Sequence, residues 1–290
     1  MRTPRAAIGA TLVLIAAAGV SPSHGAGPAA EIWVSILPQV EMVERIGGDR
    51  VAVHALVQPG DSPATYEPTP KQLASLWRAD LFFAIGVPFE ASLLPKLENM
   101  NLDIPIAEVF QGIDRIPMDD HHDHGLAGRP DPHIWLDPEL VKVQAATVRD
   151  QLCEMSPSHC AEFERNLEAY LLDVDTVGRS MDDILRPYRG RDLFVFHPSF
   201  GYLTRRYGMQ QVAVEVGGKQ PSPRQLADLV ERIHESDTRA IFVQPQIADR
   251  AAQSVAEASG CSLVELDPLA ADHLANLERM AQLIAASYGD

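Results

Sequence analysis

Apolar side chains at Phe163, Leu167, Tyr170, Leu171, Val174, Val177, Met181, Ile184 and Leu185 recur at steps of three and four residues. That spacing draws one continuous stripe along a single long helix. Ser156 is placed to cap it, Pro157 takes its first helical position, and Pro187 and Gly190 end it. About 30 residues at ~1.5 Å each reach ~45 Å, enough to run the length of two lobes. A rigid spine is expected. Gly178 inside the stripe leaves a second reading, two shorter helices, because an interior Gly costs about 1 kcal/mol against Ala.

On both sides of this segment short strand-like runs alternate with helix-period segments, the grammar of a parallel sheet with crossover helices. Residues 31–37, 50–57, 80–85 and 104–109 read as strands before it, with helices from Gln39, Lys71, Glu90 and Glu139. Residues 192–196, 211–215, 240–243 and 262–266 read as strands after it, with helices near Ser199, Pro223, Ala248 and Asp272. The fold class is therefore α/β, as two similar lobes with parallel sheets joined by one long helix. The expected divisions are a segment 1–25 to be removed, an N-terminal lobe 26–156, the linking helix 157–187 and a C-terminal lobe 188–290.

Segment 1–25 carries Arg2 and Arg5, an apolar run from Ala6 to Val20, and small residues ending at Gly25. This is the pattern of a cleaved secretory signal peptide, and the run is short of the ~20 residues a spanning helix needs. A periplasmic location follows as the expectation. Lys and Arg total 24 against 40 Asp and Glu, a net charge of −16, and no basic run could track a phosphate backbone. Nucleic acid is excluded as a partner, and an acidic exported chain suits a cationic ligand. In an oxidising compartment Cys153 and Cys160, which flank the turn before the long helix, can form a bridge if their Cα atoms approach within about 7 Å. Cys261 reads as a small packing residue.

His197 closes the run Leu193–Phe196, Asp267 closes Leu263–Leu266, and His133 precedes a helix in Asp131-Pro132-His133-Ile134-Trp135. Carboxyl ends of parallel strands are where such sheets open their ligand crevices. Two imidazoles and a carboxylate meeting across a cleft suit zinc, manganese or iron, whereas calcium and magnesium want mostly oxygen. Asp119-Asp120-His121-His122-Asp123-His124 adds a second concentration of donors. Read blandly it is a solvated acidic loop; read functionally, His121, His122 and His124 gather metal as an accessory site. His54, His234 and His273 read as structural or solvent-facing.

Taken with Gly60-Asp61-Ser62-Pro63-Ala64-Thr65-Tyr66-Glu67-Pro68, His197-Pro198-Ser199-Phe200-Gly201-Tyr202, Gly218-Lys219-Gln220-Pro221, Gln244-Pro245-Gln246 and Leu266-Asp267-Pro268-Leu269, these motifs resemble the periplasmic metal-binding proteins of zinc and manganese ABC importers. The resemblance covers most of the chain after the signal. It implies two α/β lobes joined by a long helix and a metal held by three His and one acid, two ligands from each lobe. His133, His197 and Asp267 correspond to three of the four. The family's first histidine does not carry over, because Ala64 follows Pro63. Glu67, Asp61, a histidine of the 121–124 loop, or water is left to fill that corner. Three protein ligands and a water are the pattern of sites that exchange or react.

The resemblance implies a monomeric receptor, not an enzyme. It captures a divalent transition metal, Zn2+ with Mn2+ as the alternative, and hands it to an ABC importer permease in the inner membrane. Two other readings stand beside it: a degenerate receptor or adhesion-type protein with weakened metal binding, and a secreted zinc hydrolase. Against the hydrolase, the chain has neither a His-Glu-x-x-His helix nor a Gly-x-Ser-x-Gly elbow.

Overall fold

The computed structural model describes residues 29–100, 104–118, 129–215, 222–236, 238–247 and 250–288. The expected signal segment and the histidines at 121, 122 and 124 lie outside them. Four parallel strands, β1 (Ala30–Val34), β2 (Val51–Ala55), β3 (Leu81–Ala84) and β4 (Ile106–Glu108), form the first sheet in the order β2-β1-β3-β4. Its crossovers carry α1 (Pro38–Gly47), α2 (Pro70–Leu76) and α3 (Glu90–Asn99). After α4 (Pro138–Met155) and α5 (Cys160–Leu185) the chain builds a second sheet from β5 (Asp192–Val195), β6 (Gln210–Ala213), β7 (Ala240–Val243) and β8 (Ser262–Glu265). Its order is β6-β5-β7-β8, again parallel, with α6 (Gly201–Tyr207), α7 (Pro223–Glu235), α8 (Arg250–Ser259) and α9 (His273–Ala286) around it.

All eight expected strands are present, most of them ending one to three residues earlier than the apolar runs suggest. The runs outlast the strands because residues just past a parallel strand stay buried under the crossover, as Ile36, Ile85 and Leu266 do. β3 is buried along its whole length. In β5 the alternation is visible: Leu193 and Val195 join the main core, while Phe194 enters a smaller cluster with Leu229, Ile233 and Val255 under α7 and α8.

The long helix is continuous from Cys160 to Leu185, with a 3-10 turn at each end. It packs against α1, α4 and α9. The alternative break at Gly178 does not occur. A Cβ there would stand 3.3 Å from Pro138 Cβ, so Gly178 is the residue that lets the start of α4 lie against the spine. Ser156 does not act as the cap that the sequence suggests: its side chain makes no capping hydrogen bond. Instead a disulfide joins Cys153 to Cys160, with Cα atoms 4.5 Å apart, and fixes the turn between α4 and α5.

Each sheet reverses its strand order once, between β1 and β3 in the first and between β5 and β7 in the second. Ligands bind at such switch points, outside the carboxyl ends of the strands. Gly86 and Glu90 from the first switch point and His197 and Gln244 from the second line one cavity of about 320 Å³.

Candidate metal site

His133 stands at the start of a 3-10 turn, Ile134–Leu136, which leads into α4. Asp131, two residues earlier and 2 % exposed, takes both the His133 backbone N–H at 2.9 Å and the imidazole Nδ1–H at 2.7 Å. The Tyr202 hydroxyl donates to the Asp131 carbonyl at 2.9 Å, so α6 of the second lobe holds the strap that carries His133. Gly201 makes room: a Cβ there would lie 3.0 Å from Asp131 Oδ2.

His197 follows β5 directly. The parallel register sets Val195 against Ala213, and two residues further on His197 Nδ1 meets Glu215 Oε1. A neutral imidazole that donates through one nitrogen keeps a lone pair on the other. Both rings therefore hold Nδ1 against a carboxylate and leave Nε2 as the candidate ligand atom, an arrangement that also orients histidines in metal sites. The rings come from opposite lobes, line the same cavity, and lie with centroids 6.1 Å apart at 73°.

Asp267 is half-buried at the end of β8. Its Oδ1 accepts from Gln246 Nε2 at 2.8 Å and from the Leu269 N–H at 2.9 Å. The residues after it, Pro268 and Leu269, line the cavity, whereas Asp267 is not among its walls. Among the described residues no group of three or more His, Cys, Asp or Glu has the spacing to hold a metal ion. The structure thus brings the two imidazoles together and leaves the carboxylate at the border of the site.

Ala64 faces the cavity with Ser62 and Pro63. Asp61 and Glu67, two of the groups considered for the missing corner, line a separate depression with Gln58 and Gln72. Sequence reasoning missed Asp131 and Glu215. The signal for Asp131 was its spacing from His133; for Glu215 it was its place two residues beyond β6, level with His197 two residues beyond β5.

On the first lobe's side, Glu90 is 2 % exposed and accepts from Ser35 Oγ, Ile85 N and Gly86 N. Burial pushes its carboxyl pKa up, and these hydrogen bonds work against that rise. Its oxygens are taken up in tying β1 to β3. Beneath the site the Trp135 indole N–H donates to the Pro268 carbonyl at 2.7 Å, and His273 Nε2–H donates to the Trp135 carbonyl at 2.8 Å. These bonds join the lobes under the cavity.

Residues 32–286 match the family model described as "Zinc-uptake complex component A periplasmic". A "Putative metal-binding protein" of Chlamydia muridarum is 26% identical over 277 residues, 94% of this chain and 98% of that one. The "Manganese-binding lipoprotein MntA" of Halalkalibacterium halodurans is 29% identical over 227 residues, 77% of this chain and 73% of its own length. Among solved structures, a zinc-bound ZnuA deletion mutant superposes with a TM-score of 0.84 at 38% identity, covering 90% of this chain and 99% of that one. With the two-lobed parallel fold, the paired imidazoles between the lobes and a match over residues 32–286, this protein belongs to the family of the periplasmic zinc-uptake complex component A.

Proposed function

We propose that the protein is the extracytoplasmic solute-binding component of an ABC importer, which captures Zn2+ between its lobes and delivers it to an inner-membrane permease. Mn2+ is the alternative cargo. The observation that carries this reading is the pair His133 and His197, each with Nδ1 held by a carboxylate and with rings 6.1 Å apart across the cleft. Two imidazole nitrogens favour zinc over harder ions. Asp267 supplies the oxygen ligand once Gln246 releases it, and the corner at Ala64 is left to a ligand from outside the protein. Relatives named for zinc and for manganese support a divalent transition metal as the cargo class. The role is binding and release, with no bond made or broken in the cargo.

The test is a zinc titration of the mature chain from residue 26 after metal removal, repeated with His133→Ala and with His197→Ala. Each variant is expected to bind zinc at least tenfold more weakly, about 1.4 kcal/mol. Unchanged titrations in both would overturn the site, and a wild-type chain that prefers manganese would assign the alternative cargo.

A further inference from the structure

The cavity that holds the two imidazoles is larger than a bare ion requires, and its wall carries two arginines. At about 320 Å³ it falls at the lower end of small-molecule sites, roughly 300–1,000 Å³. A four-ligand zinc cage has its donors about 2.0–2.3 Å from the metal and leaves no such space. At its floor the Trp135 indole N–H donates to the Pro268 carbonyl, and His273 donates to the Trp135 carbonyl.

Two guanidinium groups, Arg115 and Arg129, line this same cavity. Arg115 is half-buried, with its guanidinium 4.2 Å from the centroid of the Phe110 ring. It lies so close to Gly86 that a Cβ there would collide with Nη1, and Gly86 holds φ at +89°. The site is thus shaped around this side chain. Among the described residues no carboxylate forms an ion pair with either arginine. The two acids in the wall accept hydrogen bonds from neutral groups, Glu90 from Ser35 and the backbone just after β3 and Glu108 from Gln111. A stacked, half-buried guanidinium facing a ligand cavity is a receptor for a carboxylate, which it binds through two parallel hydrogen bonds.

From the Ala64 corner, the cavity volume and the two arginines in its wall we infer that the cargo enters as a chelate: zinc carried by a small amino-acid carboxylate. The chelator's nitrogen and oxygen complete the coordination that Ala64 leaves open, and its carboxylate pairs with Arg115. This inference rests on the metal-receptor reading and narrows it from the ion to a complex of the ion.

L-Histidine is the probe, because it brings an imidazole and an amino-acid carboxylate. The metal-free mature chain is dialysed against zinc alone, against L-histidine alone, and against the two together. Bound zinc and bound histidine are counted, and affinities are measured by calorimetry. The expected result is retention of zinc and histidine together at one each per chain, with at least tenfold tighter binding than for zinc alone. Arg115→Gln is expected to remove most of that gain. Ala64→His is expected to raise affinity for bare zinc and to reduce histidine retention, which keeps the inference testable if the arginine variant does not fold. Zinc retained without histidine, at the same affinity with and without it, overturns the chelate and leaves the metal receptor standing. Retention of neither overturns both.

Discussion

The Trp135 indole N–H donates to the Pro268 carbonyl at 2.7 Å, across the boundary between the lobes and one residue past Asp267. Trp135 is 1 % exposed, and its own carbonyl accepts from His273. One side chain and its backbone thus fasten the base of the cleft. Trp135→Phe keeps most of the packing volume but leaves a buried carbonyl without its donor, which costs about 1–3 kcal/mol. Urea unfolding of the metal-free protein is expected to show a lower midpoint at unchanged slope. A midpoint equal to wild type would mean that the bond adds nothing to folding.

Asp131 and Glu215 are expected to act on metal binding through the imidazoles they hold. Asp131→Asn and Glu215→Gln keep size and remove the carboxylate charge that orients each ring and raises its basicity. Loss of such a partner commonly lowers metal affinity by about 10–100-fold. Calorimetric zinc titrations should show at least a tenfold loss in each variant, with circular dichroism unchanged. Affinities within twofold of wild type would show that ring packing alone positions the ligands.

Much of this arrangement is legible in the chain because it depends on local pattern. Strand runs, crossover helices and the stripe from Phe163 to Leu185 are properties of a few neighbouring residues, and all reappear as elements. Cys153 and Cys160 are close in sequence and meet across one turn. His133 and His197 were visible because strand ends and helix starts are where parallel sheets expose polar groups. What stayed hidden depends on register and packing between distant segments. Glu215 reaches His197 only because β6 lies beside β5 in one register, and the orientation of Asp267 is set by Gln246, 21 residues away. Ser156 misled because the cap motif describes an isolated helix end, and here the disulfide and a 3-10 turn occupy that end. His273 read as structural or solvent-facing, and nothing near it in sequence decides between the two, since its burial comes from the distant Trp135 segment.

That burial gives the protein a pH dependence of its own. His273 is 1 % exposed; its Nε2–H donates to the Trp135 carbonyl and its Nδ1 has no partner among the described residues. Burial pushes its pKa down to about 4, and the hydrogen bond to Trp135 opposes only part of that. In the unfolded chain a histidine titrates near 6.5. Between these values the unfolded state binds the proton and the folded state does not, so stability is fully present above about pH 6.5 and falls as pH drops toward about 4. From pH 7.5 to pH 4.5 the loss from this one residue is on the order of 2–3 kcal/mol. Urea unfolding of metal-free protein across that range isolates it from metal release. His273→Gln retains a donor for the Trp135 carbonyl and carries no titratable ring, so it is expected to be less stable than wild type at pH 7.5 and to close that gap by pH 4.5. Parallel pH profiles for the two proteins would show that the ring takes up its proton in the folded state as readily as in the unfolded one.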